Sequence, residues 1–313
     1  MTAITLAACA TKGPAPITKD SPENQATLRK LESYIVCLED APHMFEVADR
    51  YRERYATHAP AATDDTPVLP ATDPERCTGA VLASVQLDPK LPEIDAAGRA
   101  YLDAETETYA LTVAMHDTFD HTSLGYNPAA GIALHPRLLA AFDHYDAAQA
   151  ALFDQVFALN HKIHVDQLAR RTKDEGRTLA VMLEELILRA EEVVPFASVS
   201  SDRLDAIDVE RMTNAIVALQ SAVDEVAAYY DLHPREAEAL LKGFWQIPRD
   251  AKAYVAAARQ LAARARDHLA YTDAEKLQIV AHNEAAVVGT PAAMIAAYNQ
   301  LLDVYTPAGT WPR

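Results

Sequence analysis

At 313 residues and a formal net charge of −17, the chain is too acidic for its surface alone to hold a phosphate backbone or an anionic bilayer. Glycine is scarce at 9 residues while alanine is abundant, which favours helix, and no basic stripe interleaved with aromatics offers a nucleic-acid site, so no nucleic-acid partner is expected. No stretch beyond residue 20 approaches the roughly 18 to 20 consecutive apolar residues of a spanning helix, so the folded part is expected to be soluble.

The chain opens on "MTAITLAACATKGPAPITKDSPEN". Leu6, Ala7, Ala8 and Cys9 match, position by position, a bacterial lipobox, in which an aliphatic and two small residues precede a cysteine that becomes lipidated. The leader before it lacks a basic segment and has a short apolar one, which a start codon assigned too late would explain. Gly13, Pro14 and Pro16 among polar residues then make a flexible spacer. Residues 1–20 are therefore expected to be a lipoprotein signal remnant and tether. The membrane partner would be reached through a lipid on Cys9, and Ala10 after the cysteine resembles default sorting to the periplasmic face of an outer membrane.

A first helix is predicted from Ser21, a capping residue, with Pro22 at the first helical position and Glu23 at the positive end of the dipole. Leu28, Leu31, Ile35 and Leu38, then Phe45, Ala48, Tyr51 and Tyr55, recur at helical spacing, and Pro42 is expected to kink the helix or split it in two. The segment over residues 58–75 carries four prolines without periodicity and reads as a loop or linker. A second helix is predicted from Pro92 to His121, with a turn at Gly125 and Asn127-Pro128. A very long one follows to Lys173, and Gly176 separates it from "TLAVMLEELILRAEEVV", closed by Pro195. Beyond a hinge near 195–206 come "DVERMTNAIVALQSAVDEVAAYYD", "HPREAEALLKGFWQI", a helix after Pro248, "DAEKLQIVAHNEAAVV" and "PAAMIAAYNQLLDVY". The expected fold is all-α, an elongated antiparallel helical bundle, with a first bundle over 21–195 and a second sub-bundle over 205–313.

Chemistry is harder to find. No GxGxxG, P-loop, GxSxG or HExxH is present, nor the GxHxxE of imelysin-like envelope proteins, so no cofactor and no catalytic residues are expected. The one candidate metal cluster is His116, Asp117, Asp120 and His121, which a hairpin around residue 126 would place opposite His135. The preferred reading makes His116 with Asp120, and Asp117 with His121, ordinary surface pairs four residues apart, with no bound metal. His161 and His164 would lie about 40 Å along the bundle from that cluster at about 1.5 Å per residue. The tyrosines at 101, 109, 126, 145, 229, 230, 254, 271, 298 and 305 could line a ligand groove, but filling the edge of a helical core is preferred. With Cys9 lipidated in an oxidising compartment, Cys37 and Cys77 are expected to form a disulfide worth about 3–4 kcal/mol, against the alternative of a buried thiol and a free one.

The lipobox, "KLESYIVCLEDA", "GIALHPRLLAAFDHYDAAQAALF", "EGRTLAVMLEELILRAEEVV" and "GTPAAMIAAYNQLLDVY" together resemble the YiiG-like family of bacterial lipoproteins, a domain of unknown function 3829. The resemblance supplies no catalytic residues. The expectation is a lipid-anchored envelope protein that binds or scaffolds a protein or small ligand without enzymatic activity. The alternative is a metal or small-solute carrier built on residues 116–135.

Overall fold

The cap predicted at Ser21 forms: its hydroxyl accepts the Asn24 amide, and α1 runs Pro22–Tyr55 as one helix through position 42 rather than two. The computed structural model describes residues 21–305 apart from 65, 69, 70, 72, 200 and 282, and apart from the side chains of 39, 40, 42 and 202. Cys9 and the tether lie outside the described residues. After α1 come α2 (Glu75–Gln86), α3 (Pro92–Phe119), α4 (Pro128–Glu175), α5 (Leu179–Glu191), α6 (Val209–Leu232), α7 (Pro234–Leu240), α8 (Gln246–Arg266), α9 (Asp273–Val280) and α10 (Pro291–Tyr305). Among the described residues there is no strand, and the fold is all-α. No described helix is long and apolar enough to cross a membrane.

The chain forms two compact units, divided between Asn160 and His161, inside α4. The stretch 195–206, expected as a hinge, holds two short 3-10 turns, Val194–Ala197 and Ser201–Ala206. Beyond residue 160, α4 is tied to α5 through His161–Glu192, His164–Glu191 and Arg171–Glu184.

In the unit of residues 21–160, α1 packs against α2, and α2 against α3. Cys37 and Cys77 are bridged with Cα atoms 4.7 Å apart, both almost wholly buried, so the residues after the proline-rich segment return to α1. Sequence reading left α2 out because its apolar positions are few; Cys77, Val81 and Ser84 are the residues it buries. A buried ionic knot lies near the bridge. Lys30, 0 % exposed, donates to Asp95 at 2.9 Å and to the carbonyls of Leu87 and Pro89, while Tyr34 donates to Asp95 at 2.6 Å. Burial, then that hydrogen bond, raises the Tyr34 phenol well above the ordinary tyrosine value. The α1–α4 contact is aromatic and ionic, with Phe45 against Tyr145, and Arg52 reaching Asp143 at 2.8 Å and Asp146 at 3.0 Å.

In the unit from His161 onward, α6 packs on α5 and α8, and α10 on α8. The core between them is built from Leu186, Leu219, Val223, Leu261, Met294 and Leu301. Pro248 falls inside the first turn of α8 instead of before it, where amides have no helical partner and a missing N–H costs little. Helix α7 stops at Leu240, and Gly243 adopts φ +79°, a conformation that side chains resist.

Candidate functional site

A concave feature among the described residues sits in the second unit, where α4, α5 and α10 meet. Gly176, at φ +72°, reverses the chain after α4, and the Thr178 side chain caps α5 by accepting the Val181 amide. The two helices then face each other with matched periodicity. His164, Gln167, Leu168 and Arg171 recur at spacings of three, four and seven on α4, as do Glu184, Ile187, Leu188 and Glu191 on α5. Except for Arg171, these residues and Tyr305 of α10 line a cleft of about 90 Å³.

Each end of the cleft holds a carboxylate with a partner on α4. Arg171 is buried and donates to Glu175 at 2.9 and 3.0 Å and also to Glu184, so one guanidinium serves two carboxylates. At the other end Glu191 is 4 % exposed, and its Oε2 lies 3.4 Å from His164 Nδ1. Burial, and then the negative charge of Glu191, pushes the Tyr305 phenol up to about 12 against an opposing pull from Arg171. Tyr305 therefore lines the cleft as a neutral phenol at physiological pH. A small pocket with carboxylates, a histidine and an apolar wall of Leu168, Ile187 and Leu188 can hold a ligand that is polar at one end and apolar along its length.

The residues singled out as a metal cluster go elsewhere. His116 Nδ1 lies 3.6 Å from Asp117. Asp120 caps α3, and its carboxylate accepts the amide and hydroxyl of Thr122, both at 2.8 Å, which lowers its pKa. His121 stacks on Tyr126 with ring centroids 4.5 Å apart. The hairpin does not deliver His135 to this group as its partner: His135 Nδ1 is 2.8 Å from the Tyr51 hydroxyl of α1. Burial, and secondarily the charge of His58, lowers the His135 pKa. Among the described residues no three or more His, Cys, Asp or Glu side chains are placed to share a metal ion.

The tyrosines divide. Tyr101, Tyr145, Tyr254 and Tyr298 are core residues, with the hydroxyls of Tyr101 and Tyr145 2.9 Å apart, whereas Tyr126 is exposed. Tyr305 is both buried and part of the cleft. Sequence reading missed the cleft because His164, Glu184 and Glu191 sit in different helical segments. The signal was there in polar residues repeated within faces otherwise marked as core.

Compared with known proteins, the chain matches over residues 25–306 a family described as Protein of unknown function (DUF3829). No curated protein and no solved structure gives a significant match.

Proposed function

The chain belongs to the DUF3829 family, and from that premise we propose that it is a non-enzymatic binding or scaffolding module of the bacterial cell envelope, of the YiiG-like lipoprotein kind. Cys9 carries the lipid, on the periplasmic face of the outer membrane, and the helical surface takes an envelope protein or a small ligand. The observation that carries the reading furthest is the buried Cys37–Cys77 bridge, because disulfides persist in oxidising compartments and are rare in the cytosol. The Leu6-Ala7-Ala8-Cys9 motif supports the same destination. The Gly/Pro-containing polar composition of residues 10–20 is that of a spacer, and a spacer there would let a folded module search the space beside a membrane. The cleft supports binding over turnover: Glu184 and Glu191 each face a counter-charge or histidine, an arrangement that recognises charge.

Metabolic labelling with a palmitate analogue is expected to mark the wild type and to miss Cys9→Ser, because two acyl chains hold a protein stably where one does not. Equal labelling of both would overturn the anchor. Crosslinking in intact cells, run beside a thermal-shift screen of envelope metabolites, is expected to return a specific partner or a stabilising ligand. Turnover of any screened compound would overturn the non-enzymatic reading.

A further inference from the structure

The outward face of α8 is out of keeping with the rest of an acidic chain. From Ala251 to Arg266 there is no Asp or Glu, and the acid of the helix, Asp250, is 1 % exposed. Starting at Trp245, positions spaced alternately by four and three residues run down one side of the helix, at Arg249, Lys252, Ala256, Arg259, Ala263 and Arg266. All of them are exposed except Ala263, which is half-buried. Trp245 is 48 % exposed, with the Arg249 guanidinium over its ring at 4.9 Å. The cations at the two ends have carboxylates of their own, Arg249 with Asp250 at 2.6 Å and Arg266 with Asp267 at 2.8 Å. Arg264, off this line, turns to Glu275 at 2.6 Å. Lys252 and Arg259, in the middle, meet no carboxylate among the described residues.

We propose that this face of α8 docks an acidic helical segment of a partner protein, with Lys252 and Arg259 each meeting a carboxylate and Trp245 covering an apolar side chain at one end. The inference rests on reading the protein as a binding module and names the face and the chemistry of the partner. The alternation of four and three is the repeat along which one helix lies against another. Alanines at 256 and 263, with the exposed Ala253 beside them, let a second backbone come close. Cations on such a seam exclude an apolar partner, because covering them without counter-charges is costly. They also set the spacing: Lys252 and Arg259 are seven residues, about 10 Å, apart, so carboxylates seven residues apart on a facing helix meet both. Trp and Arg are the residue types that most often carry the energy of such contacts. A nucleic acid fits poorly, since two free cations without interleaved aromatics cannot hold it against a net charge of −17.

The test titrates the full chain into a fluorescein-labelled, alanine-based helical peptide as long as α8, with glutamates seven residues apart, and reads fluorescence anisotropy. A second peptide carries glutamine in their place. The glutamate peptide is expected to bind saturably and the glutamine peptide not, and added salt should weaken the complex. Lys252→Glu combined with Arg259→Glu is expected to weaken binding about tenfold or more. Lys162→Glu combined with Lys173→Glu makes the same change in net charge at exposed lysines outside α8 and should leave binding unchanged. All four side chains are exposed, where replacements change stability little. No saturable binding, equal affinity for the glutamine peptide, or equal loss in the two double variants would overturn the proposal. So would phosphatidylglycerol vesicles that bind through Lys252 and Arg259 while the peptide does not, which would give the face to a lipid surface. None of these outcomes bears on palmitate labelling of Cys9 or on crosslinking of a partner at another face, so failure here is distinguishable from failure of the broader reading.

Discussion

Lys30 has no exposed surface, and its ammonium is consumed by Asp95 and two backbone carbonyls. Removing it strands a buried carboxylate, so Lys30→Met is expected to cost about 3–5 kcal/mol in urea unfolding. Lys276→Met, at an exposed pair with Asp273, should change stability by about 0.5 kcal/mol or less. Tyr305 makes a prediction in pH. Its folded pKa is about 12, above the ordinary value of about 10, so the folded state holds the proton more tightly. The stability this contributes is whole below pH of about 10 and is lost as pH rises towards 12, on the order of 2–3 kcal/mol. Urea midpoints across that window should fall less steeply in Tyr305→Phe than in the wild type. The burial behind both effects could not be seen in the sequence, where Lys30 is one more charge on a predicted helix and Tyr305 one more candidate core aromatic.

At the scale of elements, two glycines inside helices show how neighbours decide the sign of one substitution. A Cβ on Gly98 of α3 would lie 2.4 Å from the Tyr34 ring of α1, and that ring is pinned by its hydrogen bond to Asp95. Overpacking of about 1–3 kcal/mol should outweigh a helix-propensity gain of at most about 1 kcal/mol. Gly98→Ala is therefore expected to lower the melting temperature. Gly79 of α2 has nothing within 4 Å of the same atom, so Gly79→Ala should gain about 0.5–1 kcal/mol and raise it. Helix starts were legible at Ser21, Pro92, Pro128 and Pro291, where a cap or a proline coincided with an apolar helical period. Helix α2 was not, because it begins after Pro74 with no side-chain cap and buries little apolar surface.

For the molecule as a whole, the division at residues 160 and 161 places both bridged cysteines in one unit, and residues 161–313 contain no cysteine. Reduction should remove about 2–5 kcal/mol from the unit of residues 21–160. Amide exchange is then expected to speed across that unit while the amides from His161 onward keep their rates. Exchange that quickens equally in both would show one cooperative whole instead. The sequence by itself determined the all-α class, because caps, prolines and a 3.6-residue apolar period are local properties that the chain carries wherever it goes. It also pointed to Cys37 and Cys77 as a pair, since few cysteines leave few choices. Only the tertiary structure decided that His135 answers to Tyr51 instead of to His116 and Asp117. Only it decided that the units divide inside α4, and that Glu184, Glu191, His164 and Tyr305 share a cleft. Those outcomes depend on which helix faces meet, and facing is set by the summed packing of distant segments, which no local pattern encodes.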